Sequence, residues 1–545
     1  MSKQQERIYI QKWLEIKPYV KQVPEDTYYL KLCNKVKKAI VNEEISDVLL
    51  DYIEKDQIDT LSCLLTSYFE DLISGTNIWN TFVKCHYKLY RKPLPFYSIE
   101  DYIENEINLE DVHFLIWYFM NTLQEEKFIS PYNDWIPELA NKVMEIFESE
   151  WEYAPENKML KKYYTIDKKE SDYYLARNLT DTILFKTYLF YPDTTIELYE
   201  SDIEIADNLK EEDDIENILV YLNYNRDTSL YTKRTRLLGF KGQEWAAEIL
   251  GKDHPLHDDY MNISKKITGY FLYTGQNNQY VFTEHIASGK IFNLVKESLE
   301  EPLKTLTQKN TILFLGIVRW QNEWWFSGIS AQQPYDATLV AKERNSIESK
   351  MAVNFLDHEE YKVEEVIEKQ FAAFKDYTNG FQMIFCESSK IEAYLKGYTE
   401  HYNTYLKLSK NELKKAKERS IKEGFMREGF ESIDFTDRAK SGLLFFNPKS
   451  GVEVALDINS AFPSPDNPFF NAQKSGEAIM HLFMSEDIST ELAMYCVDNY
   501  KDKLPFFTED DGGMFLHDID FLLRFWKKNN YVTVPAITFT GKQKD

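Results

Sequence analysis

A chain of 545 residues with 43% apolar and 15% aromatic side chains exceeds one ordinary hydrophobic core, so two to four domains are expected and a disordered polymer is excluded. A formal charge of -25 opposes broad association with nucleic acid or anionic membrane, since long-range repulsion precedes any local contact, although it leaves room for a local basic patch. Cys33, Cys63, Cys85, Cys386 and Cys496 are too scattered for a CxxC metal site or a disulfide-stapled scaffold, and are read as buried reduced thiols.

No apolar leader follows MSKQQERIYIQKW, and the longest apolar runs, such as HFLIWYFM, are about half a membrane span; a cytoplasmic protein is expected. From about Thr27 to Asn262 apolar residues recur at helical spacing, as in YYLKLCNKVKKAIV and DVLLDYIEKDQIDTLSCLLTSYFEDLI. In the second stretch Leu49, Ile53, Leu61, Leu64, Leu65, Tyr68 and Leu72 fall on faces to be buried. Pro93, Pro95, Pro131 and Pro137 mark helix boundaries, because proline lacks an amide donor and restricts its predecessor. An all-helical domain over residues 1–263 follows, with no fixed period that would make it a solenoid.

Within that domain ESDIEIADNLKEEDD, residues 200–214, carries eight acids and one lysine. It lacks the glycine and final glutamate of a calcium loop and reads as solvated surface. Downstream, Lys233, Arg234, Arg236 and Lys241 are expected to pair internally with the preceding acidic stretch in preference to holding a phosphate. DHPLHDD, residues 253–259, sets His254 and His257 three apart beside Asp253, Asp258 and Asp259. Pro255 and the missing HExxH pattern make it a polar interhelical loop before a metal site.

The period changes after Ser264. ITGYFLYT, QYVFTEH, KIFNLV, NTILFLGIVRW and EWWFSGISAQ are short β-branched or aromatic segments separated by turns. They predict a small five-stranded antiparallel β-barrel or curled sheet over residues 264–332, with alternation clearest at Tyr280–Thr283 and Trp324–Ser327. Tyr270, Tyr273, Trp320, Trp324 and Trp325 could form a base-stacking platform. At least half of them are needed for the core, and no basic stripe runs between them.

Residues 333–545 mix both periods and form a third, α+β domain. GFQMIFCES reads as a strand, and SSKIEAYLKGYTEHYNTYLKLSKNELKKAKERSIKEGF as one long or broken helix. Lys407, Lys410, Lys414, Lys415, Lys417, Arg419 and Lys422 make its end the best local positive surface. Glu412, Glu418 and Glu423 among them allow pairs such as Glu418 with Lys422, so a solvated helix face is the simpler reading.

GLLFF, NPKS and GVEVALDI predict a β-hairpin, with Val452, Val454 and Leu456 on one face and Glu453, Ala455 and Asp457 on the other. Glu453 and Asp457 would stand about 13 Å apart, too far for a paired-carboxylate glycosidase. In AFPSPDNPFF the prolines end the strand, and Asp466 or Asn467 is expected to cap the helix of FFNAQKSGEAIMHLFM. Asn459, Ser460, Ser464 and Asn467 could line a pocket. In TEDDGGMFLHDIDFLLRFW, His517 and Asp520 lie three apart on a helix starting near Gly513, with Asp510 or Asp511 able to return from the preceding loop. Capping and packing explain these residues without a cofactor.

GxGxxG, GxxxxGK[ST] and GxSxG are all absent, and no catalytic residue, metal ligand or cofactor is assigned. IYIQKWLEIKPYVKQVPEDTYYLKLCNKV, residues 8–36, and NPKSGVEVALDINSAFPSPDNPFF, residues 447–470, resemble an uncharacterised family of Bacteroidota proteins known only as a domain of unknown function. The resemblance implies a bacterial intracellular origin and no activity. The leading expectation is a noncatalytic multidomain interaction or regulatory protein with a protein partner and no membrane association. One alternative is a metal-dependent hydrolase or nuclease with a pocket in the C-terminal domain. The other is a nucleic-acid adaptor built on the barrel aromatics and the basic helix. Candidate ligand contacts are Trp324, Trp325, Asp457, Asn459, His517 and Asp520.

Overall fold

The computed structural model describes residues 7–41, 48–99, 101–124, 127–209, 215–354, 363–422, 435–509 and 512–533. The chain divides into two compact units, residues 1–266 with 317–329, and residues 267–316 with 330–545. The architecture is the expected α+β one: a helical N-terminal region, a small closed barrel and a mixed C-terminal region.

In the first unit the helices of eight residues or more among the described residues are α1 (Asp26–Ile40), α2 (Lys55–Ser74), α3 (Ile78–Tyr90), α4 (Leu109–Thr122), α5 (Trp135–Glu150), α6 (Tyr173–Lys186), α7 (Ile196–Leu209), α8 (Ile215–Thr232) and α9 (Gly242–Leu250). Their termini follow local chemistry. Gln57 closes a capping box on Glu54 at the start of α2, and Gly75, at φ +60°, ends it in the left-handed conformation. The Asp172 carboxylate caps α6 by accepting from the Tyr174 amide at 2.7 Å. Leu61, Leu64, Leu65 and Tyr68 of α2 are buried as their spacing requires, as are Trp79 and Phe82 of α3 and the run Phe114–Met120 of α4. Trp79, Phe82 and Phe114 meet at ring separations of 5.2–6.1 Å, which places aromatic packing at the centre of this unit.

The barrel strands are β1 (Ile267–Gln276), β2 (Tyr280–His285), β3 (Ile291–Val295), β4 (Ile312–Trp320) and β5 (Glu323–Gln333), closed in the order β1-β2-β3-β5-β4. Burial alternates along Tyr280–Thr283 as expected. It does not alternate along Trp324–Ser327, where Phe326 and Ser327 are both buried. The reason is that helices of the first unit cover the outer face of this strand: the Ser327 hydroxyl bonds to Asp227 of α8 at 2.8 Å.

In the second unit the corresponding helices are α10 (Ala337–Asn345), α11 (Ile347–Asn354), α12 (Val363–Tyr377), α13 (Ile391–Tyr405), α14 (Lys410–Lys422), α15 (Ser475–Met484), α16 (Thr490–Tyr500) and α17 (Ile519–Trp526). Val340 of α10 packs on Leu272, Ile286 and Ile312. The segment expected as one long or broken helix is broken, between α13 and α14, where Lys407 takes φ +54°. An antiparallel sheet runs in the order β6 (Met383–Glu387), β7 (Ser441–Asn447) and β8 (Gly451–Leu456). The β7–β8 hairpin pairs Asn447 with Gly451, and Val452, Val454 and Leu456 pack together against the Cys386, Ile391 and Leu444 cluster.

Candidate functional site

The residues singled out by sequence do not assemble into one site. Trp325 packs tilted against Tyr173 at 5.9 Å and edge-on against Tyr174 of α6 at 6.3 Å, so its ring is spent on packing. Tyr273 and Trp320 are buried, while Trp324 is half-buried. Asp457 is exposed in a left-handed turn at φ +56°, beyond the end of β8, and so leaves the face it was expected to share with Glu453. Asn459 is buried: its amide donates to the Gly442 carbonyl at 3.3 Å and its own carbonyl accepts from Asn467 at 2.7 Å.

Asn467 also donates to the Phe462 carbonyl at 2.8 Å and so stitches the proline-rich crossover. The helix cap falls later, on Asn471, which accepts from the Gln473 amide at 3.0 Å, one short turn before α15. Asp466 instead borders a cavity of about 350 Å³ with Tyr377, Phe385 and Tyr394.

His517 and Asp520 lie on different elements, because the segment breaks into a short turn at Leu516–Asp518 before α17 starts at Ile519. His517 is exposed, and Asp520 is held by Arg524 at 3.0 Å and by the Tyr531 hydroxyl. Asp510 and Asp511 lie outside the described residues, as do residues 210–214 of the acidic run and the side chains of Lys417, Arg419, Lys422 and Glu423. His257 touches only its neighbour Asp258, at 2.8 Å, among the ion pairs of DHPLHDD. Among the described residues, no group of three or more His, Cys, Asp and Glu side chains is placed to hold a metal ion. All five cysteines are free and buried, and burial pushes Cys85 up to about 12 and Cys386 up to about 11.

The basic group after α8 pairs internally, as expected, but with partners outside the acidic run: Lys233 with Glu197 at 3.1 Å, Arg234 with Glu244 at 3.6 Å and Arg236 with Asp193 at 3.9 Å. In α14, Lys414 pairs with Glu418 at 3.8 Å.

Four titratable arrangements of the first unit escaped the sequence reading. Asp26 accepts from the Trp13 indole at 2.9 Å and the Tyr19 hydroxyl at 2.8 Å. Glu70 accepts from Lys17 and from Asn157. Asp71 caps α3 by accepting from the Trp79 amide at 2.7 Å, and also takes the Tyr188 hydroxyl at 2.9 Å. Asp111 accepts from Tyr68 at 2.7 Å and Tyr102 at 3.0 Å. Burial pushes Asp111 up to about 7 against the pull of these donors, and it also raises Asp71. Each carboxylate has its lone pairs occupied by groups that close the helical core, which is an architectural use.

The densest charge cluster centres on Asp227, fully buried on α8. One carboxylate oxygen takes Arg177 at 2.7 Å and Ser327 at 2.8 Å, and the other meets Lys266 at 2.5 Å. The Tyr173 hydroxyl donates to the Ser327 oxygen at 2.7 Å, and Tyr231 adjoins both hydroxyls. Burial pulls Lys266 down while Asp227 holds it up. Gly328, at φ +94°, makes this possible, because a Cβ there would lie 2.8 Å from the Asp227 oxygen and 3.0 Å from the Lys266 nitrogen. The Ser327 hydroxyl is fully enclosed, so no reacting atom can reach it, and the cluster acts as a clamp between strand and helices.

Two surfaces of the first unit stay open. A groove of about 790 Å³ runs beside α3, lined by Asn80, Thr81, Lys84, Lys88, Glu104 and Glu248 among others. Four of its charges are matched, Lys84 with Glu104 at 2.8 Å and Lys88 with Glu248 at 2.5 Å, and Lys252 also lines it. The second is the α7–α8 pair, which exposes Tyr199, Ile203, Leu219, Val220 and Tyr221.

A family model described as Protein of unknown function (DUF3843) matches residues 7–283, just over half the chain. That span includes residues 8–36 and stops short of residues 447–470. No curated protein and no solved structure matches the chain.

Proposed function

We propose, from the premise that this chain belongs to the DUF3843 family of proteins of unknown function, that it is a noncatalytic interaction or regulatory protein whose helical region engages a protein partner. The observation that carries this reading is the α7–α8 pair. Among the described residues of 199–221 it leaves five large apolar side chains exposed, a concentration that in soluble proteins marks contact surfaces. No described helix is long and apolar enough to cross a membrane, and the resemblance to Bacteroidota proteins supports a bacterial, cytoplasmic setting.

The hydrolase or nuclease alternative has less support. It requires carboxylates free to hold a metal, and Asp26, Glu70, Asp71, Asp111, Asp227 and Asp520 are engaged by neighbouring donors. The test is native affinity capture of the full chain beside its Ile203→Ser and Leu219→Ser variants. A stoichiometric partner held by the parent and lost from both variants is expected. Recovery of only the free chain across growth conditions, or turnover of phosphoester or peptide substrates by the purified protein, overturns the reading.

A further inference from the structure

We propose that the α7–α8 pair is a docking face for a basic amphipathic helix of a partner protein. The inference rests on the interaction reading above and adds the chemistry of the partner. In α7, Tyr199 and Ile203 stand one turn apart and are 47% and 61% exposed. In α8, the consecutive residues Leu219, Val220 and Tyr221 are 57%, 44% and 50% exposed. Successive helical residues point about 100° apart, so these three span roughly 200° of the helix circumference. A helix apolar over that arc cannot bury it against a single neighbour, and this one leaves it bare.

The face is built on a fixed root. Asn225 of α8 donates to Asp202 of α7 at 2.8 Å and accepts from Ser201 at 3.4 Å. The next two residues extend the root: Arg226 grips Asp181 of α6 through two bonds of 2.7 and 2.8 Å, and Asp227 enters the buried clamp. The two helices are therefore set before a partner arrives, which lowers the ordering cost of binding.

Charge selects the partner. Helix α7 contains Glu197, Glu200, Asp202, Glu204 and Asp207 and no lysine or arginine. Lys233 offsets Glu197, and the surrounding field is that of a chain carrying -25. An apolar surface in a negative field attracts a segment with apolar residues at helical spacing and Lys or Arg on its flanks. A third helix laid against two packed helices is the form such a segment takes. A second copy docked by the same face would bring the acids of two α7 helices into one interface, and anionic lipid meets the same repulsion.

The test uses the full-length protein and three fluorescent peptides: a Lys/Leu amphipathic helix, its scramble of identical composition, and a Glu/Leu amphipathic helix. The Lys/Leu peptide should bind saturably and at least about tenfold more tightly than its scramble. Ile203→Ser and Leu219→Ser, on different helices and each checked by circular dichroism, should each weaken it by about tenfold. The pair Glu200→Lys with Glu204→Lys should weaken it more at low than at high salt and improve the Glu/Leu peptide. Equal binding of the scramble would mean unspecific attraction to an acidic protein and would overturn the proposal. So would indifference to both apolar substitutions, or sedimentation showing self-association that Ile203→Ser abolishes. If the substitutions strip the native partner while no basic peptide binds, the partner chemistry fails and the interaction reading survives.

Discussion

Asp227 carries a negative charge in a place where water cannot reach it, and it is tolerated there because Arg177, Lys266 and Ser327 surround it. Neutralising it leaves two partly or wholly buried cations without their counter-charge, a change that costs about 3–5 kcal/mol in comparable buried pairs. Asp227→Asn should lower the urea midpoint of the chain accordingly. Ser327→Ala keeps both ion pairs and should cost about 1.5–3 kcal/mol for the hydrogen bond to the charged carboxylate, with about 0.5–1.5 kcal/mol more for the bond accepted from Tyr173. Equal stability of parent and Asp227→Asn would show that the clamp contributes nothing.

In the second unit Lys527 is buried and donates to the Leu482 carbonyl at 2.9 Å, the Ile488 carbonyl at 2.8 Å and the Ser485 carbonyl at 2.5 Å. Burial pulls it from 10.5 down to about 7, against Glu453, Glu486 and Asp487. Above pH 7 the folded amine is neutral while the unfolded one stays charged up to 10.5. The unfolded state then binds the extra proton, so stability rises with pH through that window. The stability difference between parent and Lys527→Met, measured by urea titration at pH 6.5 and pH 9.5, should shift towards the parent at the higher pH. No shift would show that the amine keeps its proton throughout.

At the scale of elements, segment α15 illustrates what local rules decide. The short turn that leads into it is capped by Asn471, which satisfies the Gln473 amide, while Lys474 at the N-terminus of α15 itself makes no side-chain cap, and Asn471→Ala should cost about 1 kcal/mol. Asp466→Ala, at the position the sequence pattern favours as a cap, should leave thermal stability nearly unchanged, since Asp466 is exposed and outside the cap. Scanning calorimetry of the two variants separates the assignments. The strands of the barrel and the β7–β8 hairpin were legible because β-branched and aromatic runs bounded by turn residues have few other uses. The cap was displaced because Asn467 found better partners in the crossover, the carbonyls of Asn459 and Phe462, and such tertiary competition leaves no trace in spacing. The break before α14 was only half legible, since the sequence allowed a broken helix but offered no glycine where Lys407 turns left-handed.

For the whole molecule, the polar clusters that stand out in sequence and those that matter to the fold are largely different sets. DHPLHDD and the His517–Asp520 segment stand out because their residues are adjacent, whereas Asp71 meets Tyr188 and Asp227 meets Ser327 across 117 and 100 positions of chain. The available signal was an acid placed where helical spacing asks for an apolar residue, as with Glu70 and Asp71 inside SYFEDLI and Asp111 at the head of DVHFLIWYFM. The same separation bears on nucleic acid. An adaptor needs open aromatic faces beside unspent cations, but Trp325 packs against Tyr173 and Tyr174 of α6 and Lys414 pairs with Glu418, within a chain of net charge -25. Titration of fluorescent single- and double-stranded oligonucleotides should therefore show no saturable binding even at low salt, where charge neutralisation is strongest. Trp325→Ala should lower thermal stability, because it removes the ring packed against Tyr173 and Tyr174, without altering the oligonucleotide signal. Saturable binding that weakens steeply with added salt and is lost in Trp325→Ala would reverse the order of the two readings, because it would require that ring to leave its contacts with Tyr173 and Tyr174 and face the solvent.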